Sequence, residues 1–220
     1  MDRNRAVGVT PRQRGSAHER ITVMRELVLA AAYLLGSIPF AFLFVKAAGR
    51  GDVRRVGSGN VGATNAMRAA GWKVALPIAI LDIGKGAAAV LLMRQVTASP
   101  VWLTAAGLAA IVGHCYPVWL RFSGGKGVAT GAGAFITLAW LPTLAVAVVW
   151  VVVLAAFRYV SLASVVAVAV FPGALVLLGA PTMPVVGCAV AAVLVIIWRH
   201  GRNVRQLVAG TEPKLGRGSR

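Results

Sequence analysis

Two glycine-rich segments of this sequence carry the residue types with which proteins hold phosphate groups. The first, residues 57–65, reads GSGNVGATN and comes just after Arg54 and Arg55; the second, residues 124–127, reads GGKG. Glycine lets backbone N–H groups approach an anion, and lysine or arginine adds charged hydrogen bonds. Neither segment is the GxxxxGK[ST] loop of nucleotide-binding proteins. We predict an anion cradle at each, for two phosphate groups or for one held from two sides. A flexible linker is the alternative for the first segment.

Ionisable and polar residues inside apolar segments are further candidates. Asp82 and Lys85 are three residues apart and would share one face of a helix. Charged groups within a membrane span are costly and are usually functional, although an internal ion pair that closes a helix bundle would need the same two residues. Ser161 opens another apolar segment and would either cap its helix or line a site.

The two histidines of interest, His114 and His200, lie near the ends of apolar segments. His200 and Asn203 would share a face if the last helix continues this far. Either histidine could act as a base or as a phosphate ligand, and either could be an ordinary interface residue. Glu212 is an acid in a strongly basic tail and would form a salt bridge with Lys214 or a nearby arginine.

The sequence contains no motif for a nucleophile or a metal. GxSxG and HExxH are absent. The chain has 6 Asp and Glu residues against 23 Lys and Arg, so a divalent metal would find few ligands, and we predict no metal and no cofactor. Cys115 and Cys188 are far apart and indicate neither a zinc site nor a disulfide. Any reaction would therefore depend on positioning and charge stabilisation.

The elements that must position these residues are strongly apolar. Hydrophobic residues make up 58% of the 220-residue chain, and the mean hydropathy is +0.78. Because about 20 apolar residues cross a bilayer, we predict an all-α integral membrane protein with seven transmembrane helices. Their expected ranges are Glu26–Val45, Val74–Met93, Trp102–Leu120, Val128–Leu141, Thr143–Phe157, Ser161–Leu178 and Pro184–Trp198. A count of five, with the two segments around Pro142 merged or re-entrant, is the alternative.

The distribution of basic residues orients these helices. The regions between the first and second, third and fourth, and fifth and sixth segments, together with the tail, hold nearly all the loop Lys and Arg, whereas the opposite loops hold Arg94. The positive-inside rule makes the basic regions cytoplasmic, with the N-terminus outside and the C-terminus cytoplasmic. It also explains the net charge of +17 without nucleic acid as a partner.

The first 20 residues contradict this orientation because they contain five arginines. These residues lack the apolar core of a signal peptide. We therefore hypothesise that translation starts at Met24, directly before the first apolar segment. The chain then divides into a basic N-terminal extension (1–23), a membrane domain (24–214) and a basic tail (215–220).

Seven motifs in order resemble the PlsY family of acyl-phosphate:glycerol-3-phosphate acyltransferases. They are GSIPF (36–40), GSGNVGATN (57–65), DIGKG (82–86), GHCYP (113–117), FSGGKGVAT (122–130), RYVSLAS (158–164) and RHGRNVRQLVAGTEPK (199–214). The resemblance runs over residues 27–214. It implies transfer of an acyl group from acyl phosphate to the sn-1 hydroxyl of glycerol 3-phosphate, giving lysophosphatidic acid and phosphate. It also implies a bacterial inner-membrane enzyme with a cytoplasmic active site, contact with membrane lipid, and no use of metal or acyl-CoA.

The resemblance also implies a role for each motif residue. Catalytic roles are expected for Ser37, Arg54, Lys126, His200 and Asn203; Arg55 is the alternative for the family's arginine position, although the spacing from Asp52 favours Arg54. Substrate-binding roles are expected for Ser58, Gly59, Asn60, Gly62, Asn65, Lys85, Gly124, Gly125, Gly127 and Ser161. Asp82 and Glu212 are expected to be structural. Acyl phosphate is a reactive mixed anhydride, so its leaving phosphate could take the hydroxyl proton; His200 as base is the competing hypothesis.

Two other classes of function remain open from the residues alone. A transporter for an organic phosphate would suit a broken span near Pro142 and the intramembrane pair Asp82 and Lys85. A non-catalytic lipid-binding scaffold would bind the same ligands without either transport or product.

Overall fold

The computed structural model describes residues 11–179 and 182–216, with side chains from residue 19 onward, and all regular structure in those stretches is helical. The α-helices are α1 (Pro11–Gly36), α2 (Phe40–Ala47), α3 (Ala63–Ala70), α4 (Trp72–Arg94), α5 (Pro100–Cys115), α6 (Val128–Leu138), α7 (Trp140–Phe157), α8 (Val160–Gly179), α9 (Met183–Arg199) and α10 (Gly201–Val208). Single 3₁₀ turns lie at Val53–Arg55 and Val118–Leu120.

Five helical stretches in the described chain are long and apolar enough to cross a membrane. They are Glu19–Ala47, Trp72–Arg94, Pro100–Leu120, Trp140–Phe157 and Val160–Gly179. A sixth results if α9 and α10, which are bent by 57° relative to each other, form one span. The prediction of an all-helical integral membrane protein is confirmed. The predicted count of seven would require α6, whose 11 residues cover about 16 Å, roughly half the hydrocarbon layer.

The break between α6 and α7 lies at Ala139, three residues before the expected position at Pro142. Ala139 leaves the helical conformation with φ −155° and ψ 73°. Pro142 lies in the first turn of α7, where its missing N–H costs no helical hydrogen bond. The proline therefore helps to start the second helix, and does not end the first.

The predicted segments otherwise agree with observed helices within a few residues. The first is interrupted between Gly36 and Phe40, where Pro39 precedes α2. The third ends early, because α5 stops at Cys115 and a separate 3₁₀ turn follows Pro117. The proposed start at Met24 stays a prediction; residues 1–10 and 217–220 of the two basic ends lie outside the described residues.

Glycines bring two helix pairs into backbone contact. Gly86 on α4 lies against the carbonyl of Thr130 on α6, and Gly133 on α6 lies against the carbonyl of Ile83 on α4. Gly36 on α1 and Gly113 on α5 make the same kind of reciprocal contact. Small residues at such contacts are typical of membrane helices, where dispersion contacts replace the hydrophobic effect between helices. The short helix α6 is thereby fixed against α4, with α5 on another side.

The loops that carry most of the basic residues meet at one end of the bundle, which we call the basic end. Arg199 at the end of α9 contacts the loop before α6, and Ser161 at the start of α8 contacts Glu212 beyond α10. The amide of Leu215 donates to the carbonyl of Arg158. Arg94 lies at the opposite end, where it donates to the carbonyl of Thr137 near the end of α6.

The α4–α6 contact yields a stability prediction. Gly133→Leu places a side chain where the Ile83 carbonyl lies, and overpacking of this kind costs about 1–3 kcal/mol or more. The midpoint of thermal unfolding in detergent should fall by about 5–10 °C. Gly173→Ala in α8, where an added Cβ meets no neighbour, is the matched control and should unfold no earlier than the wild type. Equal midpoints for the two variants would show that the glycine contact does not hold α4 to α6.

Candidate active site

A cavity of about 460 Å³ extends from the basic end into the bundle. Its polar part is lined by Ser58, Asn60, Gly62, Thr64, Asn65, Arg68, Asp82, His114, Lys126, Gly127, Ser161, Ser164, His200, Asn203 and Glu212. Its deeper part is lined by apolar side chains of α6, α7, α8 and α9, including Phe135, Val146, Phe171 and Ile196. The cavity therefore has one cationic end and one apolar end.

Three helices begin at the polar end of the cavity. The first residues of α3 (Ala63 and Thr64), of α6 (Val128 and Ala129) and of α8 (Val160) line it. The first N–H groups of a helix have no partner within the helix, and the helix dipole makes this end positive. Three such ends that meet at one cavity form a strong binding site for an anion such as phosphate.

Lys126 adds a full positive charge at this point. It lines the cavity between the α5 and α6 ends, and it makes no hydrogen bond or ion pair with any residue that the structure describes. Burial lowers the pKa of Lys126 to about 8, while the carboxylate of Glu212 acts in the opposite direction. The ammonium group is therefore a partly desolvated cation whose hydrogen-bond donors are free for a ligand.

Arg199 holds the GGKG segment in place. Its Nη2 and Nε donate to the carbonyl oxygens of Gly124 (2.8 Å) and Gly125 (3.0 Å), and its guanidinium lies 5.1 Å from the ring centroid of Tyr116. Gly127 then turns the chain into α6 with φ +88°, a conformation that favours glycine. Lys126, between these fixed glycines, is thus directed into the cavity.

Gly124 and Gly125 have a packing role that the sequence reasoning did not foresee. A Cβ at Gly125 would meet the ring of His114, and one at Gly124 would meet the His114 carbonyl. The predicted substrate-binding glycines 124 and 125 do not line the main cavity, whereas Gly127 does.

Ser161, Asn203 and Glu212 form one buried cluster at the cavity wall. The Ser161 hydroxyl donates to Glu212 Oε1 at 2.6 Å. Asn203 Nδ2 donates to both carboxylate oxygens, at 2.9 and 3.1 Å. The prediction of a Glu212 salt bridge with Lys214 or a nearby arginine is wrong among the described residues, because the carboxylate takes neutral donors. Lys214 instead lies over the ring of Tyr159.

His200 lines the cavity beside this cluster and is almost fully buried. Its Nδ1 lies 2.8 Å from the carbonyl oxygen of Ile196. A carbonyl can only accept, so Nδ1 carries the proton in this arrangement and a neutral ring keeps a lone pair on Nε2. His200 can therefore accept a hydrogen bond from a hydroxyl group in the cavity.

Asn65 organises the first glycine-rich segment from the inside. Its Nδ2 lies 2.9–3.0 Å from the carbonyl oxygens of Val53, Val56 and Asn60, and its Oδ1 accepts the amide of Ser58 at 3.1 Å. All its polar atoms are thus engaged within the protein. Asn65 borders the cavity, but its amide group is occupied in holding the loop. It therefore has no free donor for the predicted contact with substrate.

Ser58, Asn60 and Gly62 line the cavity, as expected for a cradle. Gly59 does not line it; this residue makes the turn, with φ +70°, and its amide donates to the carbonyl of Val56. Gly62 is the N-cap of α3. The first cradle therefore consists of the edge of this loop together with the start of α3.

Two residues predicted to be catalytic lie away from the main cavity. Arg54 forms a bidentate ion pair with Asp52, with Nη2 and Oδ2 2.6 Å apart, and this contact lowers the pKa of Asp52 to about 2. Ser37 is fully buried, and its hydroxyl donates to the carbonyl of Tyr33 one helical turn earlier. In each case the side chain binds a partner that is close to it in the sequence, Asp52 for Arg54 and Tyr33 for Ser37.

Asp82, Lys85 and His114 form a buried cluster in which Asp82 and His114 line the cavity and Lys85 lies behind them. Lys85 Nζ lies 2.8 Å from Asp82 Oδ1 and donates to the carbonyl of Ile38 at 2.9 Å. His114 Nδ1 lies 3.4 Å from the same carboxylate oxygen. Lys85 does not line the main cavity; its ammonium group donates to the backbone at the break between α1 and α2, and its predicted role in substrate binding stays a prediction. The ion pair considered from the sequence is present.

The sequence reasoning missed three residues that belong to this site. Arg68, treated as a loop anchor, lines the cavity and has only a long 3.5 Å contact with the carbonyl of Pro213. Arg199, treated as part of a basic tail, holds the GGKG segment. Trp150 on α7 donates to Ser164 at 3.1 Å and forms part of the wall. The spacing in the sequence could have indicated this role for Arg68. It lies eleven residues after Gly57 and three residues after Asn65 on the same helix.

Comparisons of sequence agree with this geometry. A protein family described as Glycerol-3-phosphate acyltransferase matches residues 26–210. A glycerol-3-phosphate acyltransferase of Mesorhizobium japonicum is 48% identical over 191 residues, which are 86% of this chain and 95% of that protein. One from Rubrobacter xylanophilus is 48% identical over 194 residues, which are 88% of this chain and 96% of that protein.

Two crystal structures have a similar fold. PlsY, an integral membrane glycerol 3-phosphate acyltransferase, in its glycerol 3-phosphate form has a TM-score of 0.82 and 39% identity, over 87% of this chain and 96% of that chain. Its lysophosphatidic acid form has a TM-score of 0.79 and 37% identity, over 87% of this chain and 95% of that chain.

The central role of Asn65 yields a prediction about the first cradle. Asn65→Ala removes four hydrogen bonds and leaves buried backbone groups unsatisfied, which costs about 1–3 kcal/mol for each group that water cannot reach. Amide exchange at Ser58 should accelerate strongly, and the protein should unfold at lower temperature. Thr64→Ala, next to it in α3, is the control and should leave both readouts near wild type. Unchanged protection of the Ser58 amide in Asn65→Ala would contradict this account of the loop.

Proposed function

Because the chain belongs to the glycerol-3-phosphate acyltransferase family, we propose that it transfers a fatty acyl group from acyl phosphate to the sn-1 hydroxyl of glycerol 3-phosphate. The products are lysophosphatidic acid and inorganic phosphate. The observation that carries this proposal is the two-ended cavity, with Lys126 and three helix N-termini at one end and apolar side chains at the other. A fatty acyl phosphate has the same division between an anionic head and an apolar chain.

The phosphate groups of the two substrates bind at the polar end. Lys126 and the starts of α3 and α6 bind one phosphate, with Ser58, Asn60 and Gly62 at its border. Arg68 at the cavity rim binds the other, since its guanidinium is exposed and has a single weak internal contact. Arg54 stays with Asp52 and acts on the loop from outside the cavity.

The reaction needs no protein nucleophile. The sn-1 hydroxyl oxygen attacks the acyl carbonyl carbon and forms the ester bond, while the bond between that carbon and the phosphate oxygen breaks. The departing phosphate takes the hydroxyl proton, so that charge and atoms balance without a further reactant. Lys126 and the helix N-termini stabilise the negative charge on the leaving phosphate, which is the kind of electrostatic contribution that preorganised sites make.

His200 and the neighbouring polar cluster orient the acceptor. The Nε2 lone pair accepts a hydrogen bond from a glycerol hydroxyl, while Asn203 and Ser161 are held in place by Glu212. Among the described residues no three His, Cys, Asp or Glu side chains come together as ligands. The proposal therefore assigns charge stabilisation to Lys126 and backbone N–H groups, and includes neither a metal nor acyl-CoA.

We place the basic end at the cytoplasmic face of a bacterial inner membrane, because basic loops remain on that side during insertion. Both phosphorylated substrates can then reach the cavity mouth from the cell interior, and the acyl chain lies at the depth of the membrane. A transporter is the second candidate, supported by the short helix α6 and by the buried pair Asp82 and Lys85.

The experiment that tests the function uses the purified full chain in detergent or nanodiscs. Palmitoyl phosphate and glycerol 3-phosphate should give lysophosphatidic acid and phosphate, with the ester at sn-1 by nuclear magnetic resonance. Palmitoyl-CoA should give no product, and EDTA should leave the rate unchanged. Lys126→Met is the matched inactive control. Uptake of labelled glycerol 3-phosphate into proteoliposomes without product would favour the transporter, and binding without product or uptake would favour a scaffold.

The pKa of Lys126 predicts an alkaline limit to activity. Above about pH 8 the ammonium loses its proton and no longer attracts phosphate, so kcat/KM should fall about tenfold for each further pH unit. The limit in kcat should lie at higher pH, because bound phosphate stabilises the protonated amine. In Lys126→Arg the limit should disappear from the range below about pH 10, since guanidinium stays charged. A pH profile that is the same in wild type and Lys126→Arg would assign the titration to another group.

The tautomer of His200 predicts which kinetic constant the residue controls. In His200→Asn the hydrogen bond to the acceptor hydroxyl is lost, and KM for glycerol 3-phosphate should rise about tenfold, as for one hydrogen bond of roughly 1.5 kcal/mol. The value of kcat should fall by less than about fivefold. Steady-state rates at varied glycerol 3-phosphate measure both, with thermal unfolding as a check of folding. A fall in kcat of about 100-fold or more would instead make His200 the general base.

A further inference from the structure

The deep end of the cavity closes at one level on four helices. The last lining residues are Phe135 on α6, Thr143 on α7, Phe171 on α8 and Ala189 on α9. The next inward-facing residue of α8 is Leu175, which is fully buried and lies in the packed core beyond the cavity. The cavity therefore has a defined floor at the apolar end.

Two phenylalanines form most of that floor. The ring centroids of Phe135 and Phe171 are 4.7 Å apart with an interplanar angle of 59°. Both side chains are buried and pack in the same core cluster as Leu175 and Val185. The contact between the rings is of the kind that aromatic pairs make at about 0.5–1.5 kcal/mol. An extended chain that follows α8 from the polar end meets this pair at the last lining residues.

We propose that the Phe135–Phe171 pair sets the acyl-chain length that this enzyme prefers. The distance along α8 from Ser161 to Phe171 is about 15 Å, given 1.5 Å per helical residue, which equals about one leaflet of the hydrocarbon layer. If the carbonyl of the acyl chain lies beside Ser161, the distance to the floor therefore limits how much of the extended chain fits in the cavity. This inference rests on the proposed function, because it concerns the acyl end of the same cavity.

The test compares lauroyl, myristoyl, palmitoyl and stearoyl phosphate as donors. Phe171→Ala removes half of the floor and opens the cavity towards Leu175, so the preference should move to longer chains. Each methylene newly buried should favour the longer donor by about fourfold in kcat/KM. Ala167→Leu, one helical turn nearer the polar end, reduces the depth and should move the preference to shorter chains.

Leu175→Ala is the matched control. It deletes a buried side chain of α8 one turn beyond Phe171, so it should lower thermal stability as Phe171→Ala does, without a change in the order of donors. Should Phe171→Ala fail to fold, Ala167→Leu alone decides the question, since it adds a side chain to open cavity space.

The outcomes separate this inference from the proposed function. Absence of product with every acyl phosphate, in the wild type, would refute the function itself. An active Phe171→Ala or Ala167→Leu enzyme with the wild-type order of donors would overturn the proposed floor and leave the function intact. A shift to longer chains in Leu175→Ala as large as in Phe171→Ala would equally overturn it, because the floor would then not be the phenylalanine pair.

Discussion

The contact between Arg199 and the GGKG segment is the interaction on which the site depends. This segment enters the bundle, where backbone carbonyl groups must find donors inside the protein. Arg199 supplies donors to two consecutive carbonyls, those of Gly124 and Gly125. Since Lys126 follows directly and α6 starts two residues later, one side chain at the end of α9 fixes a cation and a helix N-terminus together. The glycines are required by a different contact, because the packing of His114 leaves no space for a Cβ at either position.

A second consequence is an excess of positive charge at the centre of the site. Three helix N-termini and Lys126 face a cavity with Glu212 as the nearby acid at the mouth. That carboxylate is held by Ser161 and Asn203, so it lies close enough to raise the pKa of Lys126 without taking up its hydrogen-bond donors. The arrangement suits an anionic ligand, because Lys126 has no ion pair with a described residue that would have to break first, and preorganised sites avoid a reorganisation cost in this way.

Much of this arrangement could be predicted from the sequence. The lengths of the apolar segments predicted the helices. Glycines next to lysine or arginine predicted the positions of the two glycine-rich segments at the site. Two predicted site residues lie away from the main cavity for a common reason, which is that a sequence shows residue types but not which nearby partner engages them. Asp52 lies two residues from Arg54 and takes its guanidinium, and the carbonyl of Tyr33, one turn before Ser37, takes its hydroxyl. The role of Arg199 depends on a contact between residues 74 and 75 positions apart, which no local pattern contains.

The short helix α6 takes part both in the packing of the membrane helices and in the proposed active site. With 11 residues, α6 starts at the polar end of the cavity and ends at the level of Arg94, the last residue of α4, which donates to the carbonyl of Thr137. The reciprocal glycines on α4 and α6 keep this helix on one side. The apolar part of the cavity lies beside it, with Phe135 in the wall, so the proposed phosphate site and the proposed acyl site share this one short helix.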